Sequence, residues 1–292
     1  MLAWGDEHGL KVWNVSSSQV SLLTAMHIVG RPAWSPDNSE IAFLDPQSRL
    51  LRIVNVHSEA TIPPITLYDG PDGAIRPPIV TRGGPAWSPD GTRIAFICWD
   101  GQGDELCVFD VVGDIRQQVT SLGGASGGNS DVARSSVTSM AWSPDGEAIA
   151  VAVQAEQKGA TSGIFRVELA ERSGRRLTSM TANAPIIWER TTDDLLYSAS
   201  VEGRSDVYRL PARGGKPSAV TSALADGARD PAIDATGTLA VVSGSQIAVL
   251  RGGTAEATMH TLTGLACTSP ALNADGTYLA YLALPRPIMG YP

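Results

Sequence analysis

The sequence predicts an all-β chain that folds as a six-bladed β-propeller whose blades are four-stranded antiparallel sheets. Three observations lead to this prediction: a six-residue motif recurs three times almost unchanged, weaker copies continue the series, and an alternating apolar segment follows each strong copy. Self-similarity at a period of tens of residues is typical of propellers and other repeat arrays, and a four-stranded blade needs about 40–50 residues.

The motif reads Pro-Ala-Trp-Ser-Pro-Asp at residues 32–37 and 85–90, and the copy at 140–145 differs only in its first residue, Met140. The weaker copies begin at Pro185, Pro231 and Pro270. The Trp and its counterparts stand at positions 34, 87, 142, 188, 233 and 272, which are 39 to 55 residues apart. The chain therefore contains six units.

The second unit illustrates what each repeat builds. Residues 85–87 form a short strand, and a tight turn follows at 88–91 because Pro89 suits the second turn position and Gly91 the last. Three further β-rich runs come next in the order expected for one blade. They are residues 93–98, 106–111 and 117–120, and the second and third of the four strands recur at 40–43 with 50–56 and at 195–198 with 206–210.

The two ends of the chain predict how the ring closes. The last unit stops after its second strand at 278–283, and the chain opens with runs at 9–15 and 20–24 that resemble a third and a fourth strand. We expect the N-terminal strands to complete the last blade, which removes open sheet edges. Residues 2–4 also resemble the end of a second strand, so which copy pairs there is open. Because the chain opens inside a blade, we expect that a leader or another domain precedes it.

We therefore predict one domain over residues 1–292. The approximate blades are 32–66, 85–120, 140–178, 185–221, 231–262, and 270–284 together with 2–24.

These units resemble those of the TolB-like, WD-repeat-like β-propellers of bacteria. The resemblance rests on the Pro-Ala-Trp-Ser-Pro-Asp-Gly turn, on Ile94-Ala95-Phe96, on Asp206-Val207-Tyr208 and on Leu-Thr pairs such as Leu177-Thr178. It covers almost the whole chain, although Ile233 and Leu272 replace Trp and Glu189-Arg190-Thr191 replaces Ser-Pro-Asp. The resemblance implies the fold. It does not choose among periplasmic TolB, peptidase-associated propellers and sensor ectodomains.

Composition excludes some function classes. The chain carries 22 Lys and Arg against 30 Asp and Glu, a net charge of −8, and has no run of basic residues. We expect no nucleic-acid partner, because phosphate binding needs clustered cations. No apolar stretch is long enough for a membrane span, and the first residues lack the pattern of a signal peptide. The family resemblance implies an extracytoplasmic, periplasmic or cell-surface, location with the leader absent from this chain; the cytoplasm is the alternative.

Cys98 and Cys107 flank one hairpin loop, which allows a disulfide if the register suits. The sequence favours the simpler interpretation, two small apolar residues that fill a blade, and leaves open whether the two are bonded. Cys267 has no evident partner.

Several residues suggest chemistry that their context does not support. Ser126 lies in a Gly-x-Ser-x-Gly string, but a nucleophile elbow needs a strand before it and a helix after it, and the flanks are Gly- and Ser-rich. His8 and His27 would share one face, yet the histidines lack the short spacing of zinc ligands. We predict no catalytic residue, no metal and no cofactor.

The repeated aspartates and tryptophans have structural explanations. Asp37, Asp90 and Asp145 lie one per blade, so we predict that each caps its own turn and that they do not bind calcium together. The tryptophans at 34, 87, 142 and 188 are expected to wedge between neighbouring blades and not to form ligand platforms.

Binding is predicted at the channel mouth, where the chain enters the first strand of each blade. The residues just before each repeated Pro-Ala are called the mouth residues below. They are Arg31, Arg82, Thr138, Asn183, Arg229, Asp230 and Ser269. Three arginines around one mouth would suit a carboxylate or an acidic peptide segment, whereas the alternative is ordinary solvated loop charge.

Two long loops, 63–84 and 121–139, enter adjacent blades on the same face. Loops of this length are usually functional or disordered. The first contains prolines and Tyr68, so we predict that residues 68–82 contact a partner.

The function predicted from the sequence is a monomeric, non-catalytic scaffold or binding propeller for a protein or peptide. The alternative is a propeller that gates or accompanies a hydrolase or peptidase, or a lyase that acts in the channel. The lyase would require converging titratable groups, which the sequence does not offer at recognisable spacing.

Overall fold

The computed structural model describes residues 1–6, 8–14, 16–26, 28–45, 50–58, 61–66, 83–99, 104–120, 135–155, 162–251 and 257–285. Every regular element within these ranges is a β-strand. The chain divides into two compact units, Met1–Arg175 and Arg176–Pro292, and each is described separately.

The first unit holds four antiparallel sheets, and the division between the units falls within the last strand of the fourth. Sheet A has three strands, β1 (Leu2–Asp6), β2 (Gly9–Asn14) and β3 (Gln19–Thr24). Sheet B has β4 (Val29–Trp34), β5 (Glu40–Asp45), β6 (Leu50–Asn55) and β7 (Thr61–Thr66). Sheet C has β8 (Ala86–Trp87), β9 (Arg93–Trp99), β10 (Asp104–Asp110) and β11 (Ile115–Gln118). Sheet D has β12 (Ser135–Trp142), β13 (Ala148–Ala155), β14 (Gly163–Glu168) and β15 (Ser173–Thr178).

The second unit holds two four-stranded sheets and a final pair of strands. Sheet E has β16 (Asn183–Glu189), β17 (Asp194–Val201), β18 (Arg204–Pro211) and β19 (Ser218–Ala219). Sheet F has β20 (Arg229–Ile233), β21 (Leu239–Ser243), β22 (Gln246–Leu250) and β23 (Ala257–His260). Sheet G has β24 (Leu265–Leu272) and β25 (Leu279–Pro285).

Strand order confirms the fold class predicted from the repeats. In each of the five complete sheets the strands pair in chain order, as in a propeller blade, and partial sheets stand at the two ends of the chain. The sequence left open which second-strand segment pairs with residues 9–15. In the structure β1 pairs with β2, with Leu2 opposite Trp13, so the N-terminal segment takes this place. Closure of the ring, like the single-domain organisation, stays a prediction.

The repeated turn is held by its own Ser and Asp. In the second copy the Ser88 hydroxyl donates to Asp90 over 2.5 Å and accepts the Arg93 N–H over 2.9 Å. The Asp90 carboxylate also accepts the Thr92 N–H over 3.1 Å. The same bonds recur around Asp37 and Asp145. The prediction that these aspartates cap their own turns is therefore confirmed.

The weaker copies keep the turn with other side chains. Asn273 takes the place of the Ser, donates to Asp275 over 2.6 Å and accepts the Tyr278 N–H over 2.7 Å. In the fifth unit Asp234 closes the turn without a second side chain, because its Oδ1 accepts both the Thr236 and the Thr238 N–H groups. The turn is therefore kept in units whose sequence no longer matches the Ser-Pro-Asp motif.

Two of the tryptophans join neighbouring sheets of the first unit. The indole nitrogen of Trp87 donates to the carbonyl of Ala33 over 3.1 Å, and that of Trp142 donates to the carbonyl of Ala86 over 2.8 Å. Trp34 packs on the apolar cluster that sheets A and B share. Trp188 differs, since its indole nitrogen donates to Asp193 in the turn of its own sheet. The prediction of wedging is thus confirmed for the first three.

A third repeated device ties the third strand to the end of the fourth. Buried Glu105 accepts the Thr120 hydroxyl over 2.7 Å, and buried Asp206 accepts the Thr221 hydroxyl over 3.0 Å. Gln246 and Thr261 form a comparable bond over 2.6 Å. In each pair the Thr follows its partner by 15 residues, which explains structurally why a Thr ends these units.

The interpretation of Cys98 and Cys107 that the sequence favoured, as unbonded core residues, was wrong, and the alternative that it left open is correct. The two form a disulfide, with their Cα atoms 5.8 Å apart. They are not directly opposite each other, because Cys98 faces Glu105 and Cys107 faces Phe96. The bridge runs diagonally across β9 and β10, a separation that still suits disulfide geometry. Cys267 is buried and free.

Candidate functional site

Most of the mouth residues lie at an irregularity that recurs in the first strand of a sheet. Pairing shifts register between Val29 and Ala33 in β4, and corresponding shifts occur in β12, β16, β20 and β24. The mouth residues at or within these shifts are Arg31, Thr138, Asn183, Arg229, Asp230 and Ser269. Bulges of this kind redirect side chains and are common beside functional sites.

Backbone conformation at two of these positions is unusual. Asp230 has a φ of 51° and Ser269 a φ of 52°, both in the left-handed region that few residues other than glycine adopt. Asp tolerates this region better than Ser does. Such conformations cluster at binding and active sites.

In the first unit, two mouth segments meet around a pair of glycines. A Cβ at Gly84 would overlap the carbonyl oxygen of Arg31, and a Cβ at Gly83 would lie 2.9 Å from the carbonyl oxygen of Thr138. Only glycine allows backbones to approach this closely. The chain at 83–84 therefore runs between the lead-in segments of β4 and β12.

Exposure separates the six described mouth residues into three groups. Arg31, Asn183 and Arg229 are exposed, and Asp230 and Ser269 are half-buried. Thr138 is buried, and its hydroxyl lies 3.5 Å from the carbonyl of Ala152. Among the described mouth residues, the two arginines and Asn183 are therefore the most accessible to solvent and Thr138 the least.

Short polar contacts hold two mouth residues of the second unit, Asn183 and Asp230. Asn183 donates to Ser200 over 3.3 Å, and Ser200 is in turn 2.7 Å from Ser205. The carboxylate of Asp230 accepts the hydroxyl of Thr268, on the neighbouring sheet, over 3.5 Å. The first set of bonds joins the first three strands of sheet E, and the second joins the first strands of sheets F and G.

A groove of about 450 Å³ opens beside Arg229. Its walls come from the β17–β18 hairpin, from the segment that leads into β20 and from Val242. The residues on its walls include Arg204, Ser205, Asp226, Gly227 and Arg229. This groove could not be predicted from the mouth residues alone, because part of its wall comes from the tip of the β17–β18 hairpin.

Arg204 holds one wall of the groove in place. Its guanidinium pairs with Asp206 over 2.7 Å and donates to the carbonyls of Ser222, Leu224 and Ala225. The hydrogen bond to Asp206 raises the pKa of Arg204. Arg204 is itself exposed, but its donors are already used to fix the loop, so Arg229 is the exposed cation of the groove that these contacts leave for a ligand.

Several sequence predictions fall outside the described residues. They include Arg82, Tyr68 with the rest of 68–82, His27 and Ser126. Within the described ranges, no three His, Cys, Asp or Glu side chains group as metal ligands would. No helix among the same residues is long and apolar enough to cross a membrane.

A family model described as the TolB beta propeller domain matches residues 75–286. The chain belongs to the TolB β-propeller family. The match covers most of the chain, including the disulfide-bonded blade and the second unit of this TolB-family propeller. The match confirms the resemblance of the repeats to TolB-like propellers.

Part of the chain is similar in sequence to a longer bacterial protein. The chain is 30% identical over 138 residues, 45% of its length, to the uncharacterized peptidase YuxL of Bacillus subtilis strain 168. That stretch is 18% of the peptidase, so the chain spans less than a fifth of this relative.

Among solved structures, TolB from Acinetobacter baumannii matches 96% of the chain with a TM-score of 0.55 and 16% identity, and the chain covers 60% of that protein. An oligogalacturonate lyase from Vibrio parahaemolyticus matches 96% of the chain with a TM-score of 0.65 and 11% identity, over 84% of the lyase. At these identities the two likenesses show the fold alone.

Proposed function

We propose that this TolB-family propeller is a non-catalytic module that binds a protein or peptide through its mouth residues. The observation that carries the proposal is the recurrence of a bulge at the mouth position in five first strands. A bulge repeated at one position favours a shared role over accident, since each one costs ladder hydrogen bonds.

The chemistry of the exposed mouth residues favours a ligand with carboxylates. Arg31 and Arg229 are exposed guanidinium groups, and Arg82 is a third arginine at the corresponding position of the sequence. A guanidinium binds a carboxylate through two parallel hydrogen bonds, which gives geometric selectivity as well as attraction. If the ring closes as predicted, the three arginines flank one channel mouth in an otherwise acidic chain. An acidic peptide segment is the ligand class we propose, and Tyr68 with loop 68–82 would add contacts to it.

An extracytoplasmic location and a monomeric state complete the proposal. The disulfide between Cys98 and Cys107 supports the location, because disulfides persist in oxidising compartments and are rare in the cytosol. Membership of the TolB family supports it as well. Release of the full-length protein by osmotic shock would test the location, and sedimentation would test the monomer.

A second candidate function is a propeller that accompanies a peptidase. The observation that favours it is the 30% identity to the peptidase YuxL over 138 residues. A hydrolase domain encoded in the same reading frame would support this candidate. An adjoining domain without hydrolytic machinery would favour the binding module.

Capture of partners from the source cell tests the binding proposal. The variant Arg31→Ala/Arg82→Ala/Arg229→Ala removes the three arginines at the mouth. The matched control, Arg172→Ala/Arg190→Ala/Arg213→Ala, removes the same charge from turns at the other end of sheets D and E. We expect the wild type and the control to capture the same partner and the mouth variant to lose it. Unchanged capture by the mouth variant would contradict the proposal.

A further inference from the structure

A cavity of about 210 Å³ lies between sheets E and F in the second unit. It is lined by Leu196, Arg209, Val220, Ile233, Gly237, Leu239 and Leu250. Ile233 stands where the repeat motif has Trp, at the end of β20 opposite to the mouth residue Arg229. The cavity is therefore distinct from the proposed binding face.

Strand registers identify the cavity as the place of a missing indole ring. Trp142 is opposite Ile149, which is opposite Val167, and Ala95 is opposite Val108 in the sheet before. In the second unit Ile233 is opposite Leu239, which is opposite Leu250, and Leu196 is opposite Arg209. The counterparts of the six lining residues other than Gly237 are Ala95, Val108, Val119, Trp142, Ile149 and Val167, which all belong to one core cluster.

The site around Trp142 shows what a ring in this position contacts. The guanidinium of Arg93 lies 5.0 Å from the centre of the Trp142 ring. The indole nitrogen donates to the carbonyl of Ala86. Ile187 is opposite Leu196 just as Ala86 is opposite Ala95, so the Ile187 carbonyl is the corresponding acceptor in the second unit.

The cavity also has a cation at its edge. Arg209 stands in the place of Val108, and its guanidinium pairs with Glu189 over 3.0 Å. Its Nε is buried without a hydrogen bond among the described residues, with the Asp194 carboxylate 3.7 Å away. A guanidinium attracts the face of an aromatic ring, and the attraction strengthens when water is excluded.

Size and charge define the ligand class. An apolar protein cavity of about 150 Å³ binds benzene, so 210 Å³ has room for a larger ring. The two carboxylates of Glu189 and Asp194 outweigh the one guanidinium of Arg209, which disfavours an anionic ligand. The opening of the cavity to solvent is formed by partly exposed residues, among them Arg209, Ile233 and Gly237, so a ring can enter it.

We propose that this cavity binds a neutral planar aromatic ring of indole size, presented by a free small molecule or by a side chain of a peptide. The ring lies between sheets E and F in the position that corresponds to that of the Trp142 ring between sheets C and D. Its face is toward Arg209 and its N–H is toward the Ile187 carbonyl.

Titration of the full chain with indole, followed by methyl NMR, tests the proposal. We expect saturable shifts confined to the methyl groups that line the cavity, those of Leu196, Val220, Ile233, Leu239 and Leu250. N-acetyltryptophanamide distinguishes the sources: binding of indole alone indicates a small molecule, and binding of both indicates that a peptide side chain also fits. Absence of saturable shifts with both probes would overturn the proposal, and so would tighter binding of indole-3-acetate than of indole.

A filled cavity supplies the matched variant. In Ile233→Trp the new side chain occupies the site, and we expect indole affinity to fall at least tenfold while the melting temperature stays level or rises. Val201→Trp is the control, because it adds an indole ring on the exposed β17–β18 hairpin; its affinity should equal that of the wild type. Equal binding by Ile233→Trp and the wild type would contradict the assignment. The methyl shifts of the wild type decide the question even if Ile233→Trp fails to fold.

Discussion

The indole nitrogen of Trp142 and the carbonyl of Ala86, 56 residues apart in sequence, form a 2.8 Å hydrogen bond that joins sheets C and D. The bond is one copy of a repeated contact, since Trp87 reaches Ala33 in the same way. Arg93 reinforces the copy at Trp142, because it lies over the ring and donates to the Gly146 carbonyl over 2.8 Å.

Trp142 is therefore expected to contribute to stability in two separable ways. Trp142→Phe keeps a ring and loses the N–H donor, so the free energy of unfolding should fall by about 1 kcal/mol. Trp142→Ala also opens a cavity and should cost about 3–5 kcal/mol. Urea unfolding measures both values. A loss below about 1 kcal/mol for Trp142→Ala would contradict a wedging role.

The buried pair of Glu105 and Thr120 predicts a second mutational difference. Thr120→Val removes a hydrogen bond to a buried carboxylate, so we expect a loss of about 2 kcal/mol. Thr261→Val is the matched control: it removes the exposed bond to Gln246 and should cost less than about 0.5 kcal/mol. Equal costs in denaturant unfolding would mean that burial of the pair is unimportant.

Acid should destabilise the protein through the repeated turns. The hydroxyl of Ser35 and the Ser39 groups lower the pKa of Asp37 from 3.8 to about 2, and the corresponding bonds lower the pKa of Asp90 and Asp145. A pKa that is lower in the folded state means that the ionised carboxylate stabilises the fold above about pH 4. This stabilisation is lost as the pH falls toward 2.

Unfolding by urea between pH 2.5 and pH 6 measures this effect. The variant Asp37→Asn/Asp90→Asn/Asp145→Asn should lose less stability over that range than the wild type does. Asp114→Asn, in the exposed β10–β11 turn, serves as the control and should follow the wild type. Parallel pH profiles for the triple variant and the wild type would show that the turns do not carry the acid sensitivity.

Reduction of the disulfide should weaken the blade that contains it. Cys98 and Cys107 are 9 residues apart, and closing a loop of this size is worth about 2–3 kcal/mol. Dithiothreitol should lower the free energy of unfolding of the wild type by this amount. It should leave Cys98→Ala/Cys107→Ala unchanged, whereas Cys267→Ala should remain sensitive. A wild type that does not respond to complete reduction would contradict the prediction.

The fold was predictable because each unit repeats its local chemistry. The Ser-Pro-Asp turn closes through bonds within five residues, so it can be read from one unit, and the tryptophans recur at the spacing of a blade. The disulfide was missed because it is diagonal: its formation depends on the register of β9 against β10, which composition does not determine.

The candidate site was less accessible to sequence reasoning. The position of the mouth residues follows from the repeat, but the burial of Thr138 depends on packing. The cavity between sheets E and F depends on two differences from sheets C and D that are far apart in sequence. Ile233 stands where the earlier repeat has Trp142, and Arg209 stands where it has Val108. The sequence shows the first change directly, whereas the second becomes visible only once the strands are in register.

Photo-crosslinking in the source cell tests the central claim, binding through the mouth residues, most directly. A benzophenone amino acid is placed at position 229, at position 31 and, as the control, at position 213, where the side chain of Arg213 is 86% exposed. The account predicts that positions 229 and 31 crosslink to the same protein or peptide and that position 213 does not. Crosslinks from position 213 with none from 229 or 31 would contradict it.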